Sequence, residues 1–442
     1  MKNARSQVRY GAIAGAAALL LTIAACAPGG ESSPGPTAAP SEPPAEGWSG
    51  ELTIWSWEGT LSQVVDDFVA ANPDVTINLA NVGTGNDHYI ALQNAIAAGT
   101  DAPDIAQVEY YAIPQFAIPG HLADLGPLGA GALEGTFTPG TWNAVRSGDG
   151  IFGLPMDSGP MALFYNETVF DEVGVDVPQT WDDYLEAARD LRSAGYYITN
   201  DTGDAGFQTS IIWQAGGKPF QVDGTNVTID LADEGTARFT ALWQQLIDEE
   251  LLAPIGSWSD EWFQGLGDGT VASLVIGAWM PANLESGAPD GAGSWRAAPM
   301  PQWSTGGSDT AENGGSSLAV TEASDSKELA YAFLDYALAG PGVQTKIDQG
   351  LFPATVADLN TPEFLDREFG YFGGQKVNEV LSASAGDVVA GWQYLPFQVY
   401  ANSVFNDHVG PVYGGTLTLQ QGLDSWQQAL ITYGTQEGFD VQ

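Results

Sequence analysis

The stretch GELTIWSWEGTLSQVVDDFVAANPDVTINLA, residues 50–80, indicates the fold class of this chain. Residues 52–55 read as a strand, and alternating apolar residues at 75–79 read as a second strand after Pro73. Between them, apolar residues recur at the spacing of one helix face, namely Leu61, Val64, Val65, Phe68 and Val69. Strand, helix and strand in this order predict two parallel strands joined by a crossover helix.

The same alternation continues along the chain. A second helix is predicted from about residue 86, with Asn86 or Asp87 as its N-cap, and a strand at 104–108 follows. The sequence Thr-Trp-Asp-Asp at 180–183 resembles a capping box that opens another helix. Later strands are predicted at 273–276 and 317–320. The series predicts an α/β fold in which helices cover both faces of a parallel sheet.

The composition excludes several classes of function. The chain has 442 residues with 13 Lys and Arg against 55 Asp and Glu, which gives a formal net charge of −42. Such a scarcity of bases repels phosphate backbones, so we exclude nucleic-acid binding. A hydrophobic content of 44% with 11% aromatic residues is enough for a packed core. The single cysteine excludes an intrachain disulfide and a thiolate metal cluster.

The first fifty residues have the pattern of an exported lipoprotein. Three bases precede the apolar stretch 11–25, which is too short to span a bilayer. The sequence Ile-Ala-Ala-Cys that ends at Cys26 resembles a bacterial lipobox, in which the cysteine is lipidated after cleavage. We therefore expect residues 1–25 to be a signal peptide and residues 26–48 to be a lipid-anchored, Pro-rich spacer. Acyl chains on Cys26 would hold the protein at the outer face of the cell membrane.

Aromatic and polar residues stand where the predicted strands end or begin. Ligands of open α/β sheets bind beyond the carboxyl ends of the strands, so these residues are candidates for a binding site. They are Trp57, Glu58, Asn86, Glu109, Asp157, Ser158, Trp279, Gly315 and Ser316. Indoles, carboxylates and amides without clustered bases suit a neutral, polyhydroxylated ligand. The C–H face of a sugar stacks on an aromatic ring, and its hydroxyls donate to carboxylates.

Alternatives to this interpretation stay open. The tryptophans could fill the core, which the helical patterns around Trp142, Trp181 and Trp243 favour, and Glu109 or Asp157 could cap a helix or pair with a base. The sequence has no pair of histidines at metal-ligand spacing, no G-x-S-x-G elbow and no Walker loop, so we expect neither metal nor cofactor. A glycosidase needs only two carboxylates, so a secreted glycan-active hydrolase or a carbohydrate-binding adhesin is the alternative function.

Six stretches in a fixed order resemble one family. They read GELTIWSW (50–57), GTDAPDIAQVE (99–109), GIFGLPMDSGPMALFYN (150–166), PQTWDDYLEAARDL (178–191), VASLVIGAWM (271–280) and SKELAYAFLDYAL (326–338). Their order is similar to that of the extracellular solute-binding proteins of carbohydrate ABC importers, the group that contains the maltose-binding protein. The resemblance implies a protein that binds and delivers a sugar and is not an enzyme.

The resemblance also implies two α/β lobes joined by a multi-segment hinge, which closes on a neutral oligosaccharide. The first lobe would comprise 49–156 and 299–341, and the second lobe 157–298 and 342–442. The protein would be a monomer without a cofactor. Its partners would be the oligosaccharide, the membrane and the permease subunits of the importer.

Individual positions of the family carry over to this sequence. The aromatic platforms would fall on Trp57 and Trp279, and Asp157 would face the cleft. In the oligosaccharide-binding branch of the family, a segment similar to residues 371–375 supplies a polar contact to the ligand, so Gln375 is a candidate. Trp213 is the last of the candidate ligand-binding residues. The last quarter of the chain aligns poorly, so several residues are candidates for the late aromatic platform: Trp392, Tyr394 and Tyr400.

Overall fold

The computed structural model describes residues 47–200 and 203–442. The predicted signal peptide, the predicted lipidation site Cys26 and nearly all of the predicted spacer lie outside the described residues. Within the two described ranges, no helix combines the length and the apolar character that crossing a bilayer requires.

The strands of the described part are numbered here in chain order: β1 Ser49–Trp55, β2 Asp74–Ala80, β3 Ile105–Glu109, β4 Arg146–Ser147, β5 Gly150–Ile151, β6 Leu154–Pro155, β7 Met161–Asn166, β8 Thr199–Asn200, β9 Phe220–Asp223, β10 Asn226–Ile229, β11 Leu252–Ala253, β12 Ser273–Gly277, β13 Trp295–Ala298, β14 Ser316–Val320 and β15 Asp440–Val441. The helices are α1 Leu61–Ala71, α2 Asn86–Ala98, α3 Ile113–Ala117, α4 Pro139–Ala144, α5 Glu167–Val173, α6 Trp181–Ala194, α7 Ala205–Gln214, α8 Glu234–Asp248, α9 Asp260–Asp268, α10 Met280–Gly287, α11 Lys327–Leu338, α12 Gly342–Asp348, α13 Val356–Leu359, α14 Pro362–Leu365, α15 Val377–Gly386, α16 Gln398–Tyr413 and α17 Leu419–Gln436. A 3₁₀ turn, Tyr110–Ala112, follows β3.

The first lobe is built on a five-stranded sheet with the strand order β2-β1-β3-β14-β6. β1 pairs in parallel with β2 and β3, which confirms the parallel arrangement predicted for the strands up to residue 108. β14 runs antiparallel to both of its neighbours, so the expectation of a wholly parallel sheet is wrong at that strand. Because β14 enters the sheet from the second lobe, it begins at the edge where β1 and β3 end.

Helix α1 covers one face of this sheet as its apolar spacing predicts. Leu61, Val64 and Phe68 are completely buried, and the Phe68 ring meets the Phe333 ring of α11 edge to face at 5.3 Å between centroids. The start of α2 differs from the prediction, because Gly85 occupies the N-cap position with a φ of 56° and no side chain caps the helix. Asn86 is therefore the first helical residue.

The second lobe is built around a three-stranded antiparallel sheet with the order β12-β7-β13. Large aromatic side chains fill the core on its two faces, and the fully buried tryptophans are Trp181, Trp213, Trp243, Trp262, Trp295 and Trp426. Their N–H groups find partners within the core in several cases; for example, Trp181 Nε1 donates to Gln214 Oε1 over 2.8 Å. Thr180 and Asp183 form the predicted capping box of α6. Packing thus explains these six of the chain's 14 tryptophans.

Three segments of the chain run side by side between the lobes. Asp157 forms a bridge with Pro353, and Pro160 forms one with Glu312. The segment 299–311, which the sequence assigned to the first lobe, packs with the second, because its residues Met300 and Ala311 are buried in the second lobe's core.

Candidate ligand-binding cleft

Glu109 is the last residue of β3 and is held by a tyrosine of α2. The Tyr89 hydroxyl donates to Glu109 Oε2 over 3.0 Å and accepts from the Glu109 backbone N–H over 2.9 Å. Burial raises the pKa of Glu109, and hydrogen bonds from Tyr111 and Tyr89 oppose that shift. The carboxylate is therefore fixed in direction at the edge where a ligand is expected.

Trp57 lies beside this carboxylate network and packs on α2. Its ring meets His88 edge to face at 4.9 Å and Tyr89 at 6.4 Å between centroids. His88 is completely buried, and burial lowers its pKa to about 4, so the imidazole is neutral and supports Trp57 as an apolar surface. The backbone N–H groups of Trp57 and Glu58 both donate to Gln107 Oε1 over 3.1 Å. Gln107 thus holds the loop after β1, a role that the sequence pattern did not indicate.

Asp157 and Ser316 join two of the segments that cross between the lobes. The Ser316 N–H donates to Asp157 Oδ1 over 2.6 Å, and the Tyr110 hydroxyl donates to the Asp157 carbonyl over 2.6 Å. Gly315 has a φ of 93°, and a Cβ there would lie 2.5 Å from the Tyr110 ring. The position therefore requires glycine for both its backbone conformation and its close approach to the ring.

Glu312 makes further hydrogen bonds between the same two crossing segments. Its Oε1 accepts from the Ser158 hydroxyl over 3.0 Å and from the Gly159 N–H over 2.5 Å. Burial raises the pKa of Glu312 to about 7. Because the Glu312 carboxylate takes both bonds from residues 158 and 159, it couples the first crossing segment to the second.

Asp157, Glu58 and Lys346 form a cluster of interacting charges. Burial, and next the charge of Glu58, raise the pKa of Asp157 to about 7. Burial lowers the pKa of Lys346 on α12 to about 8, while Asp157 and Glu58 oppose that shift. The negative charges of Asp157 and Glu58 thus offset the positive charge of Lys346.

The second lobe contributes Trp279, Trp258 and Asp204. Trp279 lies two residues after the end of β12, and its Nε1 donates to the Asn313 carbonyl over 2.8 Å, so the indole orientation is fixed. The Trp258 ring lies 5.5 Å from the Trp279 ring with 32° between the planes. Asp204 caps α7 by accepting from the Gly206 N–H over 2.8 Å, and burial raises its pKa.

Carboxylates of the two lobes lie within electrostatic range of each other in this arrangement. The charge of Asp204, from the second lobe, contributes to the raised pKa of Glu109, from the first. The Tyr111 and Tyr394 rings also meet across the lobes at 6.4 Å between centroids. The structure therefore has the lobes in contact, with acceptors from both at the boundary.

The structure brings most of the predicted site residues to this boundary: Trp57, Glu58, Glu109, Asp157, Ser158, Trp279, Gly315 and Ser316. Asn86 is exposed in the first turn of α2. Sequence reasoning missed Gln107, Asp204, Trp258 and Glu312. Glu312 lies three residues before the predicted site residue Gly315, so its position was the available signal.

Two predicted residues have other roles in the structure. Gln375 uses both ends of its amide on the backbone of Ala297, accepting from the N–H over 2.8 Å and donating to the carbonyl over 2.7 Å. It therefore extends the edge of β13 like a further strand residue. Trp213 is only 2% exposed and stacks on Trp392 at 4.4 Å between centroids, so it is a core residue that offers no free face to a ligand.

The three candidates for a late aromatic platform lie in two different environments. Tyr400 stacks on Tyr433 at 3.6 Å between centroids, so that face is already covered. Trp392 and Tyr394 line a cavity of about 910 Å³ that extends between residues 139–152 and 388–396. None of the eleven predicted ligand-binding residues lines that cavity. Tyr110, which contacts Asp157 and Gly315, lines this cavity, so the cavity adjoins the predicted site.

Comparison with known proteins identifies close relatives. The family model described as bacterial extracellular solute-binding protein matches residues 55–344. The chain is 46% identical to the ABC transporter associated binding protein of B. animalis subsp. lactis Bl-04, solved in complex with β-1,6-galactobiose; the match covers 89% of this chain and 100% of that one, with a TM-score of 0.82. The galacto-N-biose/lacto-N-biose I-binding protein of Bifidobacterium longum, solved with lacto-N-biose, is 25% identical over 90% of this chain and 100% of that one, with a TM-score of 0.80. An arabinooligosaccharide-binding protein of Halalkalibacterium halodurans is 29% identical over 81% of this chain and 84% of its own length.

Proposed function

The chain belongs to the family of bacterial extracellular solute-binding proteins, and from this premise we propose that it is the sugar-binding component of an ABC importer. Its ligand is a neutral oligosaccharide, and galactose-containing disaccharides such as β-1,6-galactobiose are the first candidates. The observation that carries the ligand class is the 46% identity, over the full length of the relative, to a protein solved with that sugar. The closed form delivers the sugar to the membrane permease.

The chemistry of the cleft supports a neutral sugar. Trp57 and Trp279 supply aromatic surfaces from different lobes, and each is fixed by its neighbours. Glu109 and Asp204 supply acceptors for sugar hydroxyls. Lys346 is already balanced by Asp157 and Glu58, so it leaves no spare positive charge for an anionic ligand. A ligand rich in hydroxyl donors and without charge fits this combination best.

Binding and hinge closure are linked through these contacts. Closure brings Glu109 and Asp204 closer to each other, and the repulsion between their carboxylates is unfavourable without compensating hydrogen bonds. Sugar hydroxyls that donate to both lobes supply those bonds only in the closed state. The ligand therefore shifts the population towards closure, because its affinity for the closed state is greater.

The location follows from the N-terminal sequence. Cys26, after the apolar segment and in a lipobox-like context, is the proposed lipidation site, and the Pro-rich stretch 27–47 is the spacer. Two or more acyl chains would anchor a monomeric receptor stably at the outer face of the membrane. Metabolic labelling with a palmitate analogue checks this point: the wild type should incorporate label and Cys26→Ser should not.

Titration calorimetry tests the function. We expect micromolar or tighter binding of β-1,6-galactobiose, lacto-N-biose or an arabino-oligosaccharide at a stoichiometry of one. A parallel assay for released reducing sugar should show no turnover. Binding of amino acids or peptides in place of all sugars, or hydrolysis of a glycan, would contradict the proposal.

A further inference from the structure

The cavity of about 910 Å³ lies between the two lobes. The first lobe lines it with residues from 110–118 and 139–152, and the second lobe with residues from 222–225 and 388–396 and with Phe439. None of the residues that the proposed function assigns to the sugar lines it. Ligand sites in proteins typically measure about 300–1,000 Å³, so this space is large enough for a small organic molecule.

The walls of this cavity carry aromatic side chains from both lobes. Phe152 of the first lobe and Trp392 of the second are half-buried and line it. Trp392 stacks on Trp213, which fixes the plane of its ring. The Gln393 amide accepts from the Val222 N–H over 2.9 Å and donates to the Val222 carbonyl over 3.2 Å, so two parts of the second-lobe wall are tied together. The cavity is therefore a preformed space with aromatic surfaces.

Arg146, on β4, lines the cavity without a partner for its charge. Its Nε is removed from water and has no hydrogen-bond partner, and within residues 47–200 and 203–442 the guanidinium takes part in none of the ion pairs. The chain has 55 acids for 13 bases, so a base without a carboxylate partner is unexpected. A buried donor without an acceptor is unfavourable, and an oxygen atom of a ligand would satisfy it.

A second cation borders the cavity from the second lobe. Lys218 Nζ lies 2.7 Å from the position that a Cβ would take at Gly391, and Gly391 lines the cavity. In the part of the chain that the structure describes, Lys218 forms no ion pair with a carboxylate. Among the described lining residues Asp223 is the one carboxylate, and it is exposed at the end of β9. The balance of charge at the cavity therefore favours an anion.

We propose that this cavity is a second binding site, which takes a small aromatic carboxylate. The carboxylate accepts from Arg146, Lys218 adds positive charge, and the ring lies against Phe152 and Trp392. Since both lobes supply contacts, this ligand binds best to the described arrangement, in which the lobes meet. Under the proposed function the sugar favours the same arrangement, so each ligand should increase the affinity for the other.

Calorimetry with phenylacetate tests the site. We expect the wild type to bind it with a Kd of about 1 mM or tighter. Acetate, which has the charge without the ring, and benzyl alcohol, which has the ring without the charge, should each bind about tenfold more weakly or worse.

Charge variants identify the groups that hold the anion. Arg146→Gln should weaken phenylacetate binding by about tenfold or more, because a charge-assisted hydrogen bond is lost. Lys218→Gln should weaken it by about two- to fivefold, and Asp223→Asn should tighten it by about twofold, because both act through charge at an exposed position. Arg238→Gln, which removes an exposed base that pairs with Glu234 on α8, is the matched control and should bind as the wild type does. Thermal unfolding should show that each variant is folded.

Titrations with both ligands separate this site from the sugar site. Saturating phenylacetate should raise the affinity for β-1,6-galactobiose by about fivefold, and galactobiose should raise the affinity for phenylacetate by the same factor. A sugar affinity that falls as phenylacetate is added would place the anion in the sugar cleft and overturn the proposal. No binding of phenylacetate, equal binding of acetate, or unchanged binding by a folded Arg146→Gln variant would also overturn it. A protein that binds phenylacetate but none of the sugars would keep this site and contradict the proposed function alone.

Discussion

Asp157 and Ser316 stand on different crossing segments, and the Ser316 N–H donates to Asp157 Oδ1 over 2.6 Å. Asp157 is half-buried, and the partial removal of its carboxyl group from water raises its pKa, so its protonation is linked to folding. Glu312 accepts hydrogen bonds from Ser158 and Gly159 in the same region and is fully buried. The hinge therefore carries two carboxyl groups with raised pKa values.

Stability should fall as the pH rises from about 4 to about 7. Asp157 has a pKa of about 7 in the folded protein against 3.8 as its ordinary value, so the folded state binds more protons in this window. Each such carboxyl group contributes a slope of up to about 1.4 kcal/mol per pH unit within its window. Urea unfolding between pH 4.5 and 8 measures the slope.

Asp157→Asn should reduce this slope, because the amide oxygen still accepts from Ser316 but does not titrate. Asp74→Asn, at an exposed position at the start of β2, is the matched control and should leave the slope unchanged. A wild-type stability that rises steadily from pH 4.5 to 7 would contradict the assignment.

Glu109→Ala should weaken sugar binding by about ten- to hundredfold. A hydrogen bond to a charged group contributes about 1.5–3 kcal/mol, and removal of this carboxylate also leaves the Tyr89 hydroxyl without its acceptor. Calorimetry against β-1,6-galactobiose gives the change in affinity. Glu261→Ala, an exposed carboxylate on α9, should bind as the wild type does. Equal affinities for the two variants would remove Glu109 from the site.

Gly315→Ala should destabilise the protein by about 2–4 kcal/mol. The added Cβ meets the Tyr110 ring at 2.5 Å, and the φ of 93° is strained for alanine. Gly120→Ala isolates the backbone effect, because Gly120 also has a positive φ but open space around its Cβ position. That control should lose about 1–2 kcal/mol in the same denaturation experiment. Equal losses would show that the Tyr110 contact can relax.

Trp213→Ala and Trp279→Ala should have different effects. Trp213 is buried against Trp392, so its truncation should cost about 3–5 kcal/mol of folding free energy. Trp279 is half-buried and its ring is expected to contact the sugar, so its truncation should act mainly on affinity. Unfolding curves and calorimetry on both variants compare the two effects. A Trp213→Ala variant that is stable but does not bind the sugar would show that Trp213 is a ligand-binding residue.

Much of the first lobe could be predicted from local patterns. The spacing of Leu61, Val64 and Phe68 predicted the buried face of α1, and all three are in the core. The strand ends predicted Trp57 and Glu109 at the edge where the lobes meet. These predictions succeeded because each depends on a repeat of a few residues and on the direction of the chain.

Other assignments could not be made from local patterns. Gln375 and Ala297 are 78 positions apart, and only their folded positions show that the amide completes a strand edge. In the sequence, Asp204 looks like an ordinary N-cap aspartate at the start of α7. Its effect on Glu109 depends on how the two lobes meet, which local patterns do not show. Whether a tryptophan faces a ligand or a neighbouring indole is decided by packing, as Trp213 and Trp279 illustrate.

The sequence by itself determined the class of the fold, the helix faces, the shortage of bases and the family resemblance, because these properties are local or compositional. The tertiary structure decided which carboxylates meet across the lobes and which indoles keep a free face. It also decided how Asp157, Glu312 and Lys346 interact with the crossing segments. Those relationships depend on contacts between distant parts of the chain, where burial and hydrogen bonding are set by the whole fold.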